Sequence, residues 1–181
     1  MLGNRKPVLA ALLLFPLLGA PLAAQRANNE PRVSPNASVS QTIGTTIVTI
    51  EYGRPAVKGR AVWGALVPWG EVWRTGANEA TTIEFTGDVT IEGQKLPAGK
   101  YALFTIPGQS EWTIIFNKTA KQWGAFRYDA AQDALRVKVK PQSAPHEEWM
   151  SFHFADLAPD AATVVLRWEK VAVPFRIQLA K

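Results

Sequence analysis

Arg60, Trp63, Trp69, Trp73, Arg74, Thr75, Asn78 and Glu79 crowd into one short stretch, and their types suit recognition of a hydroxyl-rich or anionic ligand. Flat indole faces stack on sugar rings, and a guanidinium offers a rigid fork of donors that matches a carboxylate or a phosphate. From Arg54 to Arg74 the charged residues are Arg54, Lys58, Arg60, Glu71 and Arg74, a local excess of positive charge that attracts anions. The same residues also have a structural reading. A long loop must satisfy its own carbonyls, a buried arginine does so with several donors at once, and tryptophans fill space. Gly76 and Asn78 tolerate the left-handed backbone of a tight turn before a strand at Thr81. Arg60 and Arg74 are the pair that packing explains least.

Catalytic chemistry has no comparable signal. The two histidines, His146 and His153, stand seven apart beside one strand, and the chain has no cysteine to complete a zinc site. No Gly-x-Ser-x-Gly elbow or glycine-rich phosphate loop is present. Asp129 and Asp133 lack the oxygen-rich spacing of a calcium loop and read as turn and capping residues. Glu79 and Glu84, five apart, point to opposite faces of a strand and make a poor glycosidase pair. No catalytic residue, metal ligand or cofactor is assigned.

The elements that must position the cluster have a strand period. Val48, Ile50 and Tyr52 alternate with polar residues, as do Thr81, Ile83 and Phe85, then Leu135, Val137 and Val139. Met150, Phe152 and Phe154 repeat the pattern, followed by Val164, Leu166 and Trp168 and by the run from Val171 to Leu179. Tyr101–Ile106 and Trp112–Phe116 are apolar on both faces, which predicts central strands. Turn signals at Thr86-Gly87-Asp88, Glu92-Gly93, Pro97-Ala98-Gly99 and Pro107-Gly108 separate them. Short strands at regular spacing predict an all-β fold, an antiparallel β-sandwich or jelly-roll-like single domain. Residues 53–78 break the rhythm and are expected as one long irregular loop, with a short helical turn at 61–66. A second candidate surface lies on an expected hairpin from Leu135 to Phe154, with Trp149, Ser151 and His153 facing outward beside Arg136, Lys138 and Lys140.

The N-terminus reads as a targeting segment. Arg5 and Lys6 precede an apolar run from Val8 to Leu18 and a small-residue stretch ending at Ala24, the layout of a cleaved signal peptide over residues 1–24. Residues 25–36 are polar with two prolines and read as a flexible leader, leaving 37–181 as one domain. With no cysteine for a lipid anchor and no other long apolar run, a periplasmic or secreted protein without an integral membrane segment is expected. Of the net charge of +5, two units belong to Arg5 and Lys6. The rest is too local for a nucleic-acid footprint, so no nucleic-acid partner is expected.

The run "YGRPAVKGRAVWGALVPWGEVWRTGANEATTI", followed by "LPAGKYALFTIPG", "EWTIIFNK" and "WGAF.YD", resembles the domain of unknown function 2911 family of exported bacterial proteins. The resemblance extends from about Ser34 to Leu179 and implies an extracytoplasmic β-rich domain without implying an activity. Function therefore rests on the residues. The leading expectation is a non-catalytic envelope module that binds a carbohydrate or other anionic small ligand. The alternative is a structural or protein-interaction domain of the envelope, and a hydrolase with acids gathered from several strands is the third.

Overall fold

The computed structural model describes residues 31–180, which form two antiparallel β-sheets packed face to face. The expected signal peptide and the first part of the leader lie outside the described residues. The strands are β1 (Asn36–Ile43), β2 (Thr46–Gly53), β3 (Thr82–Phe85), β4 (Val89–Ile91) and β5 (Gln94–Leu96), then β6 (Gly99–Ile106), β7 (Trp112–Asn117), β8 (Asp133–Val139), β9 (Gln142–Ala158) and β10 (Ala161–Leu179). The larger sheet has the order β1-β2-β3-β6-β7-β8 and the smaller the order β5-β4-β10-β9. An all-β sandwich is thus what the alternating sequence builds.

The core lies between the sheets. Val48, Ile50 and Tyr52 of β2, Ile83 and Phe85 of β3, and Val164, Leu166 and Trp168 of β10 are all buried in one apolar cluster. Alternation brings these side chains to a common face because successive strand residues point to opposite sides. β6 and β7 are inner strands, as their two-sided apolarity requires. Their second face carries a smaller cluster of Ala80, Ala102, Phe104 and Ile115, against which Val72, Ile106, Ala125 and Tyr128 pack. The outer face of the larger sheet is therefore partly roofed, by the connection between β7 and β8.

Two sequence expectations change in the structure. The runs 164–168 and 171–179 belong to one long strand, β10, in which the buried positions switch from even to odd numbers. Register shifts on either side of Glu169, itself at φ 54°, cause the switch, since one extra residue reverses every side chain after it. The expected hairpin from Leu135 to Phe154 does not form. Lys140 and Pro141 carry the chain from the edge of the larger sheet, β8, to the edge of the smaller, β9, so the cations of β8 do not flank Trp149, Ser151 and His153.

Candidate functional site

Between β2 and β3 the chain leaves the larger sheet and returns after tying several elements together. Its first part runs beside β9: Ala56 bridges Trp149, Val57 N–H donates to Glu148 O at 2.9 Å, and Met150 N–H donates to Pro55 O at 2.9 Å. Lys58 and Gly59 then turn with positive φ, 49° and 68°. That turn folds Arg60 back on its own loop, where Nε donates to Val57 O at 3.0 Å and Nη2 to Ala56 O at 2.6 Å. Arg54 acts similarly, donating from Nε to Met150 O at 2.7 Å. Residues 61–67 close through Leu66 N–H to Ala61 O and Val67 N–H to Val62 O, bonds that span five residues, in place of the expected helical turn.

Two tryptophans of the segment, Trp63 and Trp73, are partly buried and pack against the core. Trp63 touches Trp69, Trp73, Trp112 and Trp168, with ring centroids 5.0–6.4 Å away. Trp73 lies against Trp168 at 5.9 Å and donates from Nε1 to Gly76 O at 3.2 Å. Trp69, stacked on Trp63, keeps 37 % of its surface exposed. The backbone of Trp73 exchanges two hydrogen bonds with Thr105, at 2.8 and 2.9 Å, so residue 73 takes the place beside β6 that β3 leaves vacant.

The following residues, Arg74 to Glu79, act as a junction. Thr75, buried at φ 54°, donates its hydroxyl to Trp73 O or Thr105 Oγ1, each at 3.2 Å, and its own carbonyl accepts from Thr81 Oγ1 at 2.7 Å. Ala77 N–H donates to Gly53 O at 3.1 Å, and the backbones approach so closely that a β-carbon on residue 53 would overlap the carbonyl oxygen of Ala77. Asn78, at φ 64°, donates from Nδ2 to Ser34 O at 3.0 Å, while its carbonyl accepts from Gly124 N–H at 3.0 Å. Glu79 pairs with Arg32 at 2.7 Å and bridges Trp123 through its backbone. The end of β2, β6, the segment before β1 and the β7–β8 connection are thereby held by six residues.

Arg74 is the exception. The alternation that turns Trp73 toward the core and packs Val72 on the outer cluster places Arg74 on the outer side of the larger sheet. Its guanidinium is partly buried, its Nε is out of contact with water and has no hydrogen-bond partner among the described residues. Burial lowers its pKa from the ordinary value, and no carboxylate offsets that effect. The structure therefore separates the two arginines that sequence brought together: Arg60 is a clamp and Arg74 is an unpaired cation.

Other features of the surface lie apart from this segment. A cleft of about 470 Å³ opens between β8 and β10, with Lys138, Lys140 and Arg176 facing Glu92, Glu111 and Asp156. Among the described residues no cluster of three or more histidines or acids is placed to hold a metal. Glu84, the other acid considered with Glu79, is exposed and lies 3.5 Å from Lys100. One feature escaped the sequence reading: the connection at residues 118–128 carries two exposed aromatic rings, Trp123 and Phe126. The signal available was a run of aromatics and cations without an acid between Asn117 and Asp129.

A family model described as a protein of unknown function, DUF2911, matches residues 34–177. The chain belongs to the DUF2911 family. No curated protein and no solved structure matches it. The matched span of this DUF2911 domain begins at Ser34, whose carbonyl Asn78 holds, and ends within β10.

Proposed function

We propose that this DUF2911 protein is a non-catalytic, extracytoplasmic binding module whose ligand is anionic and meets Arg74. The unpaired, partly desolvated guanidinium of Arg74 carries this reading. Removing a cation from water without a counter-charge is unfavourable, and an incoming carboxylate or phosphate recovers part of that cost through charge-assisted hydrogen bonds. Acidic glycans and peptidoglycan fragments of an envelope present such groups. The half-exposed ring of Trp69 is the segment's remaining surface for stacking on a sugar. Export to the periplasm or beyond is part of the proposal and rests on the N-terminal sequence.

Replacing Arg74 with alanine separates binding from packing. A ligand stabilises a fold only through its affinity for the folded state, by about 2.7 kcal/mol at a hundredfold excess over Kd. Melting of wild type should rise with an anion drawn from phosphate, sulfate, acidic oligosaccharides or peptidoglycan fragments, and the Arg74→Ala variant should lose that response. Without ligand the variant should melt at or slightly above the wild-type temperature, because a desolvated and unpaired charge has been removed. Arg60→Ala is the contrasting control: it removes the guanidinium bonds to Ala56 O and Val57 O, leaving Val57 O with only the backbone N–H of residue 60, and should melt earlier with or without ligand. A wild type indifferent to every anion would overturn the proposal.

A structural or protein-interaction domain is the second reading. It is favoured by the internal bonding of Arg60, Trp73, Thr75, Asn78 and Glu79, which leaves those side chains engaged before any ligand arrives.

A further inference from the structure

The β7–β8 connection, residues 118–128, carries a surface unlike the rest of the domain. Phe126 is 84 % exposed and Trp123 53 % exposed. Around them Lys118, Lys121 and Arg127 are exposed, and none has a side-chain hydrogen bond or ion pair among the described residues. No acid lies between Asn117 and Asp129, and Asp129 itself caps a short helical turn by accepting from Ala131 N–H at 2.9 Å.

The rings are held out by a well-bonded loop. Ala80 N–H donates to Gln122 O and Gly124 N–H to Asn78 O, each at 3.0 Å, so the junction at residues 78–80 serves as the seat of the loop. Lys118 N–H donates to Gln132 O at 2.9 Å, Tyr128 N–H to Ala125 O at 3.1 Å, and Thr119 N–H to Asn117 Oδ1 at 3.0 Å. Gly124, at φ 63°, leaves room for the Phe126 ring, whose nearest atoms would stand only 2.9 Å from a β-carbon there. The backbone that carries the exposed rings is therefore held by hydrogen bonds, which lowers the backbone entropy lost when they are buried against a partner.

We propose that residues 118–128 dock this domain on an anionic lipid surface, with Trp123 and Phe126 in the interfacial layer and Lys118, Lys121 and Arg127 over the headgroups. Aromatic rings flanked by cations are the composition that lies in a membrane interface, where the rings bury apolar surface and the cations meet negative charge. A protein partner fits less well. The two rings expose only about 300 Å² of apolar surface, against roughly 800 Å² per side for a stable protein interface. Docking of this kind needs no spanning segment, and no helix among the described residues is long and apolar enough to cross a membrane.

The absence of cysteine allows a site-specific test on the full chain. Phe126→Cys, labelled with an environment-sensitive naphthalene fluorophore whose apolar rings take the place of the lost phenyl, should show blue-shifted, stronger emission with phosphatidylcholine vesicles that contain phosphatidylglycerol, and little change with phosphatidylcholine alone. The same label at Leu157→Cys, an exposed position on β9 in the other sheet, should not respond. That control separates docking through the loop from attachment through the N-terminal apolar run. Neutralising the cations together, Lys118→Gln, Lys121→Gln and Arg127→Gln, should weaken partitioning about 100-fold at moderate salt. All these positions are exposed, so the variants should melt like wild type. An unresponsive label at 126 overturns the proposal, as does an equal response to both vesicle types. Retention of a protein partner by the loop, with no response to vesicles, would assign this surface to that partner instead.

Discussion

Three arginines of the 53–78 segment share a side-chain type and differ in what surrounds them. Arg54 and Arg60 donate to backbone carbonyls of the loop and of β9, while Arg74 Nε is buried and has no hydrogen-bond partner among the described residues. Which arginine would be free was not legible in the sequence. Arg60 reaches its carbonyls only because Lys58 and Gly59 adopt left-handed backbone, a conformation that lysine rarely signals. The turn was legible only in part: Asn78 does take positive φ, whereas Gly76 does not, and the other left-handed position falls on Thr75, whose β-branched side chain gives no hint of it. At this scale Thr75→Val is expected to destabilise the fold by about 1–3 kcal/mol, because it deletes a buried hydroxyl that bonds within the core. Chemical denaturation against wild type measures it, and an unchanged midpoint would show that the hydroxyl contributes nothing.

At the level of elements, alternation made most strands readable, and irregularity hid the rest. The bulge at Glu169 divides β10 into two patterns of opposite parity, and the two-residue link at Lys140-Pro141 looks like a hairpin turn while it changes sheets. The loop at 118–132 was unreadable because its apolar residues divide between a roof over the sheet and exposed rings, a division that depends on contacts distant in sequence. Its attachment to the sheet supplies a pH test. Tyr128 donates its hydroxyl to Asp133 Oδ2 at 2.6 Å and accepts from Arg136 Nη2 at 2.6 Å, and its ring meets Phe104 edge-on at 5.1 Å. Burial, then the bond and charge of Asp133, push its pKa up from 10.0 to about 12. The folded state thus holds this proton more tightly than the unfolded state. The corresponding stability is complete below about pH 10 and is lost as pH rises toward about 12. Tyr128→Phe should flatten the alkaline loss of stability across that window, apart from the share due to Tyr101, which burial also raises. An identical alkaline profile in the variant would show that the tyrosine is not linked to folding.

For the molecule as a whole, a domain without disulfides depends on its core, and the two largest fully buried side chains, Trp112 and Trp168, sit where the sheets face each other. Truncating either to alanine should cost about 3–5 kcal/mol, read as a lower urea midpoint at unchanged slope. The burial of both was legible from strand parity. The inward turn of Trp63 and Trp73 was not, because their segment has no period and the same residues suit a ligand surface equally well. Their gathering has an optical consequence. Trp63 lies within 5.0–6.4 Å of four other indoles, close enough for their transition dipoles to couple. The folded protein should therefore display an exciton couplet in its far-ultraviolet circular dichroism, superimposed on the sheet signal. Trp63→Phe should shrink that couplet while leaving the fold intact, since Trp63 Nε1 has no hydrogen-bond partner to lose among the described residues. This band would follow the meeting of the two sheets directly, as an intrinsic spectroscopic marker of sandwich closure that requires no added label.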